Sequence, residues 1–295
     1  MNKKNFLLFM ALGLISWSCS KNEGPVSSTE SQISPEIEMS EAFDPALESA
    51  VRSEFREGAA SVWTGITAPT TITEPGFYRV TADFSATGDG IVIMSDNVFL
   101  KLGGHEISGP GNKIGRGIVL DGVKNVWVQD GRVSTFGIGV VLLGSSRSVI
   151  RGIKVEGGDE FADPANGIAP QIGLLAINSY ANIIFRNYFD MVNLGIFVRG
   201  AGSYENRIFN NASVGGHNGL LGICYNPAPN EGPAGPSSDY VTHNYLARFG
   251  NGIQASAGSM NNMFNFNVIK YFNHAYVDFN GSNSFEHNRT RQIEP

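Results

Sequence analysis

Disulfide bonding is closed to this chain. Only Cys19 and Cys224 are cysteines, and Cys19 ends an export-type leader, so no intrachain bridge can staple the folded part. Cys224 lies in the apolar run "GLLGICY" and is expected to be an inert, buried thiol. Charge is also scarce, at 16% of 295 residues, with a formal net charge of −6. No basic stripe of the kind that phosphate backbones require runs along the sequence, which excludes a nucleic-acid partner. The apolar run from Phe6 to Ile15 is too short for a permanent membrane span. What the chain has in quantity is glycine, 36 residues, so turns must be frequent.

The first 19 residues read as a secretion signal: two lysines, the apolar run, then small residues before Cys19. The placement of Cys19 resembles a bacterial lipoprotein signal, which implies cleavage before the cysteine and acylation of its sulfur. Ser16 and Trp17 depart from the usual pattern of such signals, and an ordinary cleaved signal peptide is the other reading. Either way the mature protein is expected outside the cytoplasm, in a bacterial cell envelope, touching a membrane only through the lipid anchor. Residues 20–38 are rich in Ser, Pro and Glu and read as a disordered tether. Within 39–61, Asp44 as N-cap, Pro45 at the first helical position, Leu47, Val51 and Phe55 spaced four apart, and Gly58 as stop predict a short amphipathic helix.

From residue 62 to 295 the sequence repeats. Gly90, Gly117, Gly139, Gly173, Gly195, Gly219 and Gly252 open similar lines, with His274 in the same place in the last one. Most steps are close to 23 residues, and two carry an insertion. A second register keeps time with the first: Asn187, Asn211, Asn244, Asn267 and Asn288 each follow an apolar residue three positions earlier. A unit this short suits three strands and three turns wound once around a coil, each strand pairing in parallel with its copy about 4.8 Å away. Inward residues then stack in apolar columns, and the asparagines stack at a corner, where their amides can satisfy backbone groups.

The lines "GIVIMSDNVFLKLGGHEISG", "GIVLDGVKNVWVQDGRV", "NIIFRNYF" and "NRIFNNAS" resemble those of the right-handed parallel β-helix superfamily, the pectate-lyase-like fold, over about four-fifths of the chain. The fold class expected is all-β: a right-handed parallel β-helix of about eight or nine coils, with the helix of residues 45–57 capping its N-terminal end. At the other end the sequence shows no cap, and that open edge would suit a partner or a self-stacked dimer. The resemblance implies a polysaccharide groove on the strand that opens each line. It implies no one reaction, because the superfamily hosts lyases, hydrolases, epimerases, esterases and non-catalytic proteins.

Long turns carry specificity on a solenoid. The insertion "EGGDEFADPANGIAPQI" enters just before the strand at Gly173, and "YNPAPNEGPAGPSSDY" leaves just after the strand at Gly219. Together they would wall a cleft. With the Ile of Gly-Ile-x-x turned inward, its floor is read as Val92 and Met94, Val119 and Asp121, Val141 and Leu143, Leu175 and Ile177, Phe197 and Arg199, Leu221 and Ile223, then Gln254 and Ser256, Tyr276 and Asp278. Six apolar pairs in succession should be covered or should bind something. The covering candidates are Leu47, Val51 and Phe55 or the insertion residues Phe161, Ile168 and Ile172.

A polyuronate lyase needs a cation for the substrate carboxylate, a base for the adjacent proton and an acid for the leaving oxygen. Arg199, His217 and Tyr225 are the candidates in that order, with Phe197, Leu221, Asp190, Asp239, Tyr240 and Arg248 as substrate-binding residues. Asp159, Glu160 and Asp163 form an acidic loop that could hold Ca²⁺, although a solvated loop fits it as well. His243 and His287 share a column but are separated by Phe266, so they cannot share a metal. The paired aspartates and Arg-x-Lys of polygalacturonases are missing, as is an Arg-x-x-x-x-Arg pattern of pectate lyases. The expected function is a carbohydrate-active surface protein with a polysaccharide or glycan ligand, acting by lyase-type elimination. The alternative is a non-catalytic β-helix that binds glycan or protein.

Overall fold

The computed structural model describes residues 62–111, 114–157, 171–216, 219–228, 233–279 and 281–294. All regular structure among them is β: 23 strands in one continuous parallel sheet system. The leader, the tether, the helix expected over 45–57, His217 and the loop bearing Asp159, Glu160, Phe161, Asp163 and Ile168 lie outside the described residues.

The strands sort into three faces. Face A carries Thr70–Ile72, Ile91–Ile93, Arg116–Asp121, Ile138–Leu143, Ile172–Ile177, Leu194–Arg199 and Leu221–Asn226, then the ends of two long strands, Tyr245–Ala255 and Val268–Asp278. Each pairs in parallel with the next, for nine coils in all. Face B includes Gly76–Val80, Val98–Lys101, Ile183–Phe185, Arg207–Phe209 and Tyr240–Thr242. Face C includes Tyr188–Val192 and Ala212–Gly215 and continues into the starts of the two long strands. The architecture is therefore a parallel β-helix, with coil number as the repeat implies.

Alternation explains which residues fill the coil. Ile118, Val140, Leu174, Ile196, Ile223 and Ile253 stack inward from face A and are fully buried. Burying each side chain of this kind stabilises the fold by roughly 1.5–3 kcal/mol. The corner between faces B and C is held by the expected file of asparagines. Each backbone N–H from Asn187 to Asn267 donates to the side-chain carbonyl of the next coil's asparagine, ending at Asn288, over 2.8–3.0 Å. Their side-chain amides donate to one another as well. Buried corner groups with no strand partner are thereby satisfied.

One register assignment needs correction. A Cβ on Gly195 would stand 2.4 Å from the carbonyl oxygen of Gly222, and one on Gly222 would stand 2.6 Å from that of Gly252. The glycine column therefore runs through Gly222, with Ala275 after Gly252, and not through Gly219 and His274. Gly219 instead sits at the entry to face A against the Arg248 carbonyl. Two glycines three residues apart both fit the line pattern, and only the close approach of the next coil distinguishes them.

Candidate functional site

Face A is the surface on which the sequence places a cleft, and the two insertions do leave and enter it two coils apart, between Glu156 and Ile172 and between Asn226 and Tyr240. Its outward residues follow the expected parity up to Phe197 and Arg199. The next pair is Cys224 and Asn226, because Phe197 registers with Cys224 and Arg199 with Asn226. Ile223 points into the core and so does Tyr225, while Tyr276 registers with inward Ile253. This shift follows from the glycine correction.

The apolar floor is closed. Leu175, Phe197 and Leu221 are 2%, 1% and 2% exposed and form one cluster with Val119, Val141 and Cys224. Ile172 packs within that cluster as part of the strand itself. The cluster is therefore a second hydrophobic core outside the coil, and Cys224 is a buried thiol within it, outside any disulfide.

Polar residues succeed the apolar ones on the following coils. The Arg199 guanidinium lies 5.1 Å from the Phe197 ring centroid and donates to the Pro227 carbonyl at 3.4 Å. Asn226 accepts a hydrogen bond from the Ser256 hydroxyl. Gln254, on the next coil after Cys224, accepts from the Asn251 amide at 3.3 Å, and its own Nε2 is buried without a hydrogen-bond acceptor. A buried amide donor left unmet costs about 1–3 kcal/mol, and Gln254, 3% exposed, carries that cost beneath the surface. The sequence does not single out Asn226, because Gly219 and Gly222 both fit the line pattern and only the approach of the next coil separates them.

The other candidates are dispersed. Tyr225 is wholly buried inside the coil, where its hydroxyl donates to Asp239 Oδ2 at 3.0 Å. Burial, reinforced by the Asp239 charge, pushes its phenol well above the usual range. Asp239 is 1% exposed and replaces an asparagine in a second internal ladder: it accepts from the Asn206 backbone N–H at 2.7 Å, and its own N–H donates to Asn262. Burial raises its carboxyl to about 7, against the hydrogen bonds from Asn206 and Tyr225 that lower it. Neither group can reach a polymer lying on the surface, so the acid role of Tyr225 and the binding role of Asp239 are withdrawn.

Tyr240 lies on face B, between Arg207 and Met263. Asp190 lies on face C beside Tyr188, whose phenol is raised to about 12 by burial and then by the Asp190 charge. These positions correct the expectation that both border the face A cleft. Arg248 stands at the turn from face C to face A, in the left-handed conformation. His243, Phe266 and His287 do form one stack, with ring centroids 5.3 and 4.9 Å apart. Among the described residues no three His, Cys, Asp or Glu side chains are grouped to hold a metal.

Three parallel faces wound around an apolar interior and an asparagine ladder define a β-helix solenoid, an architecture that hosts many activities. The chain belongs to the right-handed β-helix family: residues 70–225 match the family described as "Right handed beta helix region". No curated protein matches it. Among solved structures it is similar to an alginate lyase from Paenibacillus sp. str. FPU-7, at 12% identity and a TM-score of 0.40, over 73% of this chain and 99% of that one.

Proposed function

We propose that this chain is a glycan-binding β-helix of the bacterial cell envelope, exported by its leader and anchored through a lipid on Cys19. The observation that favours binding over elimination is the place of Tyr225. Its hydroxyl, the assigned acid, is sealed inside the coil against Asp239, so Arg199 keeps the means to hold a ligand without that proton donor beside it. Support for a saccharide ligand comes from the succession of Arg199, Asn226, Gln254 and Ser256 on three neighbouring coils, all of them types that bond sugar hydroxyls or carboxylates; they are 7%, 6%, 3% and 9% exposed, so a ligand reaches them only by displacing what covers face A.

The deciding experiment mixes purified protein with a panel of uronate-containing and neutral polymers. Co-sedimentation and absorbance near 235 nm are followed with and without EDTA. Retention on a polymer without new C=C absorbance is expected, and Arg199→Ala should weaken retention on face A. Absorbance growth would overturn the binding reading in favour of a lyase, and its loss in EDTA would restore Ca²⁺ at the acidic loop. Cys19→Ser should move the protein from the membrane fraction to the soluble fraction; unchanged fractionation would sink the lipid anchor.

A further inference from the structure

A second surface, on face B at the first coils, differs from face A in every respect that matters for a ligand. Register places Gly65, Arg79 and Lys101 one above another, and Trp63, Phe77 and Phe99 in the column beside them. The three rings pack as a cluster, with centroids 5.6, 5.7 and 5.8 Å apart. Arg79 is exposed and Lys101 is half-buried. Gly65 puts no side chain over Arg79.

Trp63, Arg79, Lys101, Gly103 and His105 line a shallow depression of about 450 Å³. Neither Arg79 nor Lys101 makes an ion pair among the described residues. The nearby carboxylate of Asp83 is already engaged: it accepts the Glu106 N–H and the His105 ring nitrogen, both at 3.0 Å, and these bonds hold it below the usual carboxylate range. On a chain with net charge −6, Arg79 and Lys101 thus stand as two cations without an ion pair beside an aromatic cluster.

We infer that this depression is a binding site for an acidic sugar, its carboxylate or sulfate held between Arg79 and Lys101 and its ring packed against Trp63. Neighbouring coils are about 4.8 Å apart, so one anionic group can engage both cations, and charge-assisted hydrogen bonds of this kind are the strong ones. A surface made for a lipid headgroup or for phosphate would need the cations alone. The aromatic wall supplies what a pyranose ring's C–H faces require, and it favours the saccharide. The site stands apart from the face A reading and does not rest on it.

Isothermal titration of the purified chain tests this with four probes: an oligouronate, a sulfated oligosaccharide of equal length, the carboxyl-reduced neutral oligosaccharide, and phosphatidylglycerol vesicles. An acidic oligosaccharide is expected to bind, the first two probes identifying which anion is preferred, with the neutral probe weaker by about tenfold or more. Arg79→Gln and Lys101→Gln should each weaken binding about tenfold, as removal of one charged hydrogen bond does. Arg79→Lys should retain most of it, Trp63→Leu should weaken it, and Arg291→Gln, at an exposed cation on the last strand, should leave it unchanged. Melting temperature checks that the variants remain folded. Equal binding of the neutral probe, or full affinity in the Arg79→Gln/Lys101→Gln double variant, overturns the inference. Vesicle binding that needs both cations but not Trp63 overturns it in favour of a membrane contact. Binding abolished by Arg199→Ala alone would place the sugar on face A, which sinks this site and leaves the earlier proposal standing.

Discussion

Two ladders run side by side inside the coil, and they differ at one rung. The file from Asn187 to Asn288 is amide throughout, each backbone N–H and side-chain amide donating to the next carbonyl. The second file runs through Asn182, Asn206, Asp239, Asn262 and Asn283, joined by the same backbone-to-side-chain bonds at 2.7–3.1 Å. At Asp239 the side chain can only accept when ionised, so a second acceptor stands where an asparagine has its donor, and the Tyr225 hydroxyl donates to it from the core. An amide ladder is indifferent to pH. A ladder with one buried carboxyl is not.

The largest effect should come from breaking the uniform ladder. Asn211 donates to the Ile184 carbonyl and to Asn244, and its carbonyl accepts both the backbone N–H and the amide of Asn187. Asn211→Ala leaves several of these groups buried and unmet, for an expected loss of about 4 kcal/mol. Urea unfolding measures it, and the loss should be the same at pH 5 and pH 8.

A smaller, pH-dependent effect is expected at Asp239. Its folded value, about 7, lies above the ordinary carboxyl range. The folded chain therefore keeps a proton that the unfolded chain releases, and stability falls as pH rises from about 4 to about 7. Below that window the group is neutral in both states. Above it the full penalty for a buried charge persists. Asp239→Asn should therefore flatten the profile, matching the parent at pH 4 and exceeding it at pH 8 by on the order of 2 kcal/mol. Parallel profiles for the two proteins would mean the carboxyl titrates normally.

Tyr225→Phe should have the smallest effect and should sharpen the contrast. The phenol stabilises the ionised carboxylate, so its removal costs about 1 kcal/mol at pH 8 and less at pH 4. An equal loss at both pH values would assign Tyr225 to packing alone.

The sequence announced one of these ladders and not the other. Asn187 to Asn288 were legible because each follows an apolar residue at a fixed offset and the column holds one residue type. The neighbouring file changes type at Asp239, and in its earlier coils it begins from Ser148, whose N–H donates to Asn182, so identity matching passes over it. The candidate site suffered more. Tyr225 and Asp239 read as surface chemistry because they stand near the two ends of the insertion "YNPAPNEGPAGPSSDY". The register at Gly222 turns Tyr225 inward, and the ladder bonds to Asn206 and Asn262 hold Asp239 inside the coil.

By itself, the sequence determined that the chain coils, roughly how often, and where its asparagines stack, because period and parity are properties of neighbours along the backbone. Tertiary structure alone decided that the apolar floor of face A is closed, that a tyrosine meets an aspartate inside the coil, and that Arg79 and Lys101 share a column with no counter-charge. Burial and charge pairing depend on distance across coils, and residues a full turn apart carry no mark of that proximity in their order.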